Sequence, residues 1–175
     1  MNIVRELAFG GARAATLSAL GCNASSEPPK TPTDQATEMA RTRCGPDLDE
    51  KLLAPVLDGS AIKNVEPLYS NVEEARGGSQ SELRGAIVNV QAIAGVTAEW
   101  LDRALECHSA QRVLGQNAQP GGPDDPFWLP GSVVDIDVRS AKDGFRVAVA
   151  GFTPRDAEQI LSRAKAFAKS SPGPK

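Results

Sequence analysis

The order of predicted elements after residue 82 restricts the fold more than any other feature. Alternating apolar residues predict a strand over 83–93, and Gly95 ends it. Thr97 can then cap a helix that runs to Leu114. Two further strands and a final helix follow, so the predicted order is β-α-β-β-α.

Residues 132–150 predict a β-hairpin. Two apolar sets alternate with other residues on either side of a turn at 141–144: Val134, Ile136 and Val138 before it, and Phe145, Val147 and Val149 after it. A register that pairs Val138 with Phe145 keeps both sets on one face. The same register places Asp137 opposite Arg146 as a favourable exposed pair.

The last helix has the clearest start signal. Thr153 suits the N-cap, Pro154 the first helical position, and Asp156 lies three residues after the cap. An apolar stripe follows at helical spacing: Ala157, Ile160, Leu161, Ala164 and Phe167. We expect this stripe to pack on the sheet.

These elements are similar to the ferredoxin-like arrangement without its final strand. We expect residues 65–72, whose Pro67 suits a sheet edge, to supply the missing strand from the N-terminal side. The predicted fold is therefore α+β, with an antiparallel sheet of about four strands and both long helices on one face. Shorter helices are expected at 37–43 and 47–57. The other sheet face is expected to be polar, with Asn89, Gln91, Asp135, Asp137 and Arg146.

The N-terminus has basic residues, a short apolar run and small residues before a cysteine. Arg5 and Arg13 precede the run 14–20, and the sequence reaches Ala19-Leu20-Gly21-Cys22. This resembles the signal and lipobox of a bacterial lipoprotein. The resemblance implies that residues 1–21 are removed and that the Cys22 sulfur is diacylated. The alternatives are an amphipathic helix with an incidental Gly-Cys, or a cytoplasmic protein without a signal.

The lipoprotein resemblance divides the chain into four parts. Residues 22–43 are expected to be a lipidated cysteine and a flexible linker, because 23–35 is rich in Ser, Pro, Thr and charge. A single domain is expected at 44–169 and a disordered tail at 170–175. Asn23, not Asp, follows the cysteine, which by the sorting rule of enteric lipoproteins implies the outer membrane, facing the periplasm, rather than the inner membrane.

The chain has three cysteines: Cys22, Cys44 and Cys107. If Cys22 carries lipid, as the resemblance implies, an even pair remains in an oxidising compartment. We therefore expect a Cys44–Cys107 disulfide. It would close a loop of about 63 residues, worth roughly 4 kcal/mol on chain-entropy grounds.

Cys107 and His108, the only histidine, are adjacent on the predicted helix. A thiolate beside an imidazole suits metal binding or nucleophilic catalysis, so a periplasmic metal-binding or thiol-active protein is the alternative function. Adjacent helical residues point about 100° apart, however, and no second histidine or CxxC completes a zinc site. We expect a half-buried His108 that caps or packs, no catalytic, cofactor-binding or metal-binding residues, and no enzymatic activity.

Phe127 and Trp128 lie in a Pro/Gly-rich loop and are candidates for contact with an envelope protein partner, since loop aromatics are enriched at interfaces. Alternatively, Trp128 folds back to plug one end of the core. The net charge of −3, without a basic stripe, argues against nucleic-acid binding. The helix and the loop after it also look similar to uncharacterised bacterial envelope proteins. We therefore expect a non-enzymatic, lipid-anchored envelope protein that acts as a binding or structural module.

Overall fold

The computed structural model describes residues 29–73, 79–116, 122 and 124–170. Two short helices, α1 (Pro32–Arg43) and α2 (Glu50–Leu57), precede a hairpin of β1 (Ile62–Glu73) and β2 (Ser79–Gln91). Helix α3 (Ala98–Val113), strands β3 (Asp135–Ala141) and β4 (Gly144–Ala150), and helix α4 (Pro154–Ser170) follow. The predicted signal 1–21, and residues 171–175 of the predicted C-terminal tail, lie outside the described residues.

The four strands form one antiparallel sheet in the order β1-β2-β4-β3. This confirms the predicted α+β fold, in which β1 replaces the final strand of the ferredoxin-like arrangement from the N-terminal side. Pro67 lies in β1, an edge strand of the sheet, which is where proline is tolerated in a sheet.

One face of the sheet packs against α3 and α4 in a single core. Alternate residues of β2 and β4 point into it, as their period-two patterns predicted. Fully buried members include Val88, Val147 and Val149 from the sheet and Leu101, Leu105 and Ile160 from the helices. Each such side chain contributes about 1.5–3 kcal/mol by leaving water, so this shared face supplies most of the stability.

The opposite face of the sheet is polar, as expected. Asn89 donates from Nδ2 to Asn64 Oδ1 at 2.6 Å and to Glu66 Oε1 at 3.1 Å across the β1–β2 ladder. Asp137 and Arg146 are exposed on the same face. Ile87, only 4% exposed, is an apolar residue on this face.

The predicted β3–β4 register was wrong by two residues. Val138 lies opposite Val147, and Arg139, not Asp137, lies opposite Arg146. Asp137 instead accepts a hydrogen bond from Nε of Arg139 on its own strand, at 2.7 Å.

The reason is the geometry of the turn. The predicted register would pair Ala141 with Lys142 directly, and a hairpin needs about two residues for its loop. In the structure Ala141 pairs with Gly144, so Lys142 and Asp143 form that loop. A shift of two preserves the alternation, and both apolar sets therefore still share the inner face.

Helix α1 begins five residues before the helix predicted at 37–43 and occupies the second half of the predicted linker 22–43. Helix α1 starts at Pro32 with a capping box, in which Asp34 N donates to Thr31 Oγ1 at 3.2 Å and Thr31 N donates to Asp34 Oδ2 at 3.1 Å. Ala36 is fully buried and belongs to a small cluster with Ala110 of α3 and Val133. The folded domain therefore extends at least to residue 32, not to 44.

Gly85 of β2 has no room for a side chain. Its φ is +152°, and an added Cβ would overlap the backbone oxygen of Val149 on β4. We expect Gly85→Ala to lower the free energy of unfolding by about 3 kcal/mol, because backbone atoms on a central strand cannot give way. Gly131→Ala is the control, since Gly131 has φ +74° but open space around it and should lose only about 1 kcal/mol. Equal urea midpoints for the two variants would contradict this explanation.

Candidate functional site

A disulfide joins Cys44 and Cys107, with 5.0 Å between their Cα atoms, and confirms the predicted pairing. Cys44 is the C-cap residue of α1, and its backbone N–H donates to the oxygen of Ala40. Cys107 lies on the buried side of α3. The bond therefore attaches α1 to α3. It matters because α1 has few buried apolar residues of its own.

His108 is more deeply buried than the sequence predicted, at 5% exposure. Its Nε2 lies 2.7 Å from Oδ2 of Asp125, whose side chain is fully enclosed. The other carboxylate oxygen, Oδ1, accepts the backbone N–H of Phe127 at 2.9 Å. Asp125 therefore connects the His108 ring to the backbone of its own loop through its two carboxylate oxygens.

Sequence reasoning missed Asp125. It lies in the long loop between α3 and β3 beside a second acid, Asp124, and no periodicity shows which of the two turns inward. One local signal exists. In turns, an Asp side chain often accepts a hydrogen bond from the backbone N–H of the residue two positions later. An Asp-Pro-Phe sequence fits that geometry, but it does not indicate the histidine 17 residues earlier.

Phe127 is fully buried in the core, which corrects the prediction that its side chain contacts a partner. Leu129 is likewise enclosed, at 1% exposure. Trp128 is partly buried, with the guanidinium carbons of Arg112 and Arg163 at 4.5 and 5.3 Å from its ring centre. The loop therefore closes one end of the core, and its tryptophan lies against two cations.

Arg163 of α4 connects this stack to the buried acid. Its Nε donates to the backbone oxygen of Asp125 at 2.9 Å. Burial lowers the pKa of the Arg163 guanidinium below its ordinary value, while the charges of Asp125 and Asp124 act in the opposite direction. Asp125 is thus held from two different helices, through its carboxylate by the His108 imidazole and through its backbone oxygen by the Arg163 guanidinium.

A pocket of about 140 Å³ opens between α2 and α3, and His108 lines it. The disulfide forms part of its wall. Its apolar lining comes from Leu48, Leu53, Ala54, Leu57, Trp100 and Ala104. Its polar lining comes from Asp49, Glu50 and Gln111. A histidine held by a carboxylate on one ring nitrogen therefore borders a small, largely apolar space.

The structure separates the two residues that looked like a chemical pair. The Cys107 sulfur is bonded to Cys44, while the His108 ring is held by Asp125. Among the described residues, no group of three His, Cys, Asp or Glu side chains is close enough to hold a metal ion. Chemically, this site can present a fixed imidazole to a bound molecule. Cys22, the predicted lipidation site, lies outside the described residues.

Comparison with protein-family models, with curated proteins and with solved structures finds no match to this chain. Within residues 29–73, 79–116 and 124–170, no helix has the length and apolar character needed to cross a bilayer.

Proposed function

We propose that this protein is an exported, lipid-anchored module of the bacterial cell envelope that acts by binding rather than by catalysis. The observation that supports this most is the Cys44–Cys107 disulfide. Disulfides persist in oxidising compartments such as the periplasm and are rare in the bacterial cytosol. With two cysteines paired, Cys22 is the single remaining cysteine, and the Ala19-Leu20-Gly21 before it resembles the lipobox of a lipoprotein.

The binding role is supported by the pocket beside His108. Its walls combine apolar side chains with one oriented imidazole, which is the usual composition of a small-ligand site. An envelope protein partner is a further proposal, for which Trp128 is the remaining surface candidate. The outer membrane, on its periplasmic face, is the proposed location because Asn23 follows the cysteine.

Incorporation of radiolabelled palmitate in a bacterial host tests the anchor. We expect label in the unaltered chain and none in Cys22→Ala, because no other cysteine is positioned for lipidation. The matched control is the Cys44→Ala, Cys107→Ala double variant, which loses the disulfide and should retain the label. An unlabelled unaltered chain, or equal label in Cys22→Ala, would refute the proposal.

The membrane location has its own test. In an enteric host, Asn23→Asp should move the labelled protein from the outer to the inner membrane fraction, since the residue after the lipidated cysteine directs sorting. Asn23→Ser is the control and should stay in the outer membrane. Identical fractionation of the two variants would remove the argument for the outer membrane.

A further inference from the structure

We propose that the Cys44–Cys107 disulfide is a site of thiol–disulfide exchange, that a dithiol protein of the thioredoxin class attacks it at Cys44, and that its reduction releases α1 from α3. This goes beyond the proposed anchoring and binding roles and depends on neither of them. A dithiol is the expected partner because its second thiol can resolve the mixed disulfide that the first one forms.

The disulfide borders a space that a thiol can enter. Both cysteines line the pocket of about 140 Å³ between α2 and α3. Cys44 is partly exposed, whereas Cys107 is only 6% exposed. Because the rate of exchange depends on which sulfur a thiolate can approach, Cys44 is the expected point of attack.

The same pocket can hold part of the reductant. Apolar side chains from both helices line it, among them Leu48, Leu53 and Trp100. A space of this size accommodates a group as large as a benzene ring. One apolar side chain beside the attacking thiol would therefore fit, and such anchors in pockets contribute strongly to binding between proteins.

The exchange proceeds in two balanced steps. In the first, a thiolate of the reductant forms a bond to Cys44 Sγ, the bond between the two cysteines breaks, and its electron pair leaves on Cys107 Sγ, which takes up a proton from water. In the second, the other thiolate of the reductant attacks its neighbour's sulfur in the mixed disulfide and releases Cys44 as a thiolate. Two electrons thus pass to this chain, and the dithiol becomes a disulfide.

The contacts that remain for α1 after reduction are small. Of the residues of α1, all of which the structure describes, only Ala36 is buried, and Met39 and Ala40 add partly buried side chains to its cluster. The ion pair of Arg43 with Glu106 lies at the C-terminal end of the helix. Segments with few buried apolar contacts open first, so α1 should open once the bond is broken.

A trapping experiment on the oxidised full chain carrying Cys22→Ala tests the point of attack. The probe is a thioredoxin-type protein whose second cysteine is replaced, so that exchange stops at the mixed disulfide. After acid quenching, peptide mapping by mass spectrometry should find about tenfold more probe on Cys44 than on Cys107. As much probe on Cys107 as on Cys44, or no mixed disulfide, would overturn the proposal.

The rate of reduction by dithiothreitol tests access through the pocket. Ala54→Phe fills the pocket from α2 and should slow reduction about tenfold in buffer, but not in concentrated urea, where the chain is unfolded. Tyr69→Phe, on the exposed part of β1, is the control and should react as the chain with only Cys22→Ala does. Equal rates for the two variants in buffer would contradict attack through the pocket.

Trypsin reports on the release of α1, which contains Arg41 and Arg43. Cleavage after these residues should be at least about tenfold faster in the reduced than in the oxidised chain, while cleavage after Arg163 of α4 should rise much less. Equal acceleration in both helices, or acceleration in neither, would show that reduction does not release α1 and would refute this part of the proposal.

Discussion

Replacement of both disulfide cysteines, as Cys44→Ala with Cys107→Ala, is expected to lower the free energy of unfolding by about 4 kcal/mol. The bond closes a loop with a sequence separation of 63 residues, and its loss restores that loop's entropy to the unfolded chain. The effect should be concentrated at α1, because only Ala36 of that helix is buried. Guanidinium denaturation of the oxidised chain and of the variant measures the difference.

The control lies at the same junction. Arg43 of α1 forms an ion pair with Glu106 of α3, with Nε and Oε2 2.6 Å apart and the arginine side chain 45% exposed. Because the Glu106 side chain is only 13% exposed, Arg43→Ala should cost about 1–2 kcal/mol, more than the loss of an exposed ion pair but less than the loss of the disulfide. If the double cysteine variant had the same free energy of unfolding as the oxidised chain, the disulfide would not stabilise the fold.

Removal of the buried acid has the second large effect. Asp125→Ala leaves Nε2 of His108 and the backbone N–H of Phe127 enclosed without their hydrogen-bond partner. Breaking a buried pair of this kind costs about 3–5 kcal/mol, because the remaining polar groups stay desolvated. Asp125→Asn should lose less, since its amide oxygen can still accept from Phe127. Thermal and urea unfolding measure both losses.

Asp124 provides the matched control, as an adjacent acid in the same loop that is only partly buried. Asp124→Ala should change the free energy of unfolding by about 0.5 kcal/mol or less, as a surface substitution does. If Asp124→Ala and Asp125→Ala were equally destabilising, the buried His108–Asp125 pair would not be the source of the stability lost in Asp125→Ala.

The sheet and its two long helices were predictable because their patterns are local. Strand alternation in β2 and β4 and the stripe of α4 each repeat over at least seven residues, and burial follows them directly. The β3–β4 register was not fixed by alternation, because a slip of two residues preserves the faces. Counting the residues that the turn at Lys142 and Asp143 requires would have selected the observed register.

Helix α1 shows what capping signals add to periodicity. Both α1 and α4 begin with Thr-Pro-x-Asp, at Thr31 and Thr153. Only α4 has an apolar stripe, so only α4 was predicted at full length. The structure holds α1 against α3 through the disulfide and the small contact at Ala36, and neither leaves a periodic trace in the sequence.

Only part of the candidate functional site was predictable from the sequence. The Cys44–Cys107 pairing followed from the lipoprotein resemblance and the number of cysteines. The partner of His108 did not, because the acid lies in an irregular loop whose path is determined by the packing of Phe127 and Leu129. The pocket could not be predicted from the sequence either, because residues of both α2 and α3 form it.

The intact mass of the protein extracted from bacterial membranes after thiol alkylation tests the central claim most directly. We expect a chain that begins at Cys22 with its lipid and that carries no alkyl group, because Cys44 and Cys107 are bonded to each other. A chain that retains residues 1–21 and is alkylated at all three cysteines would contradict both the anchor and the oxidising compartment.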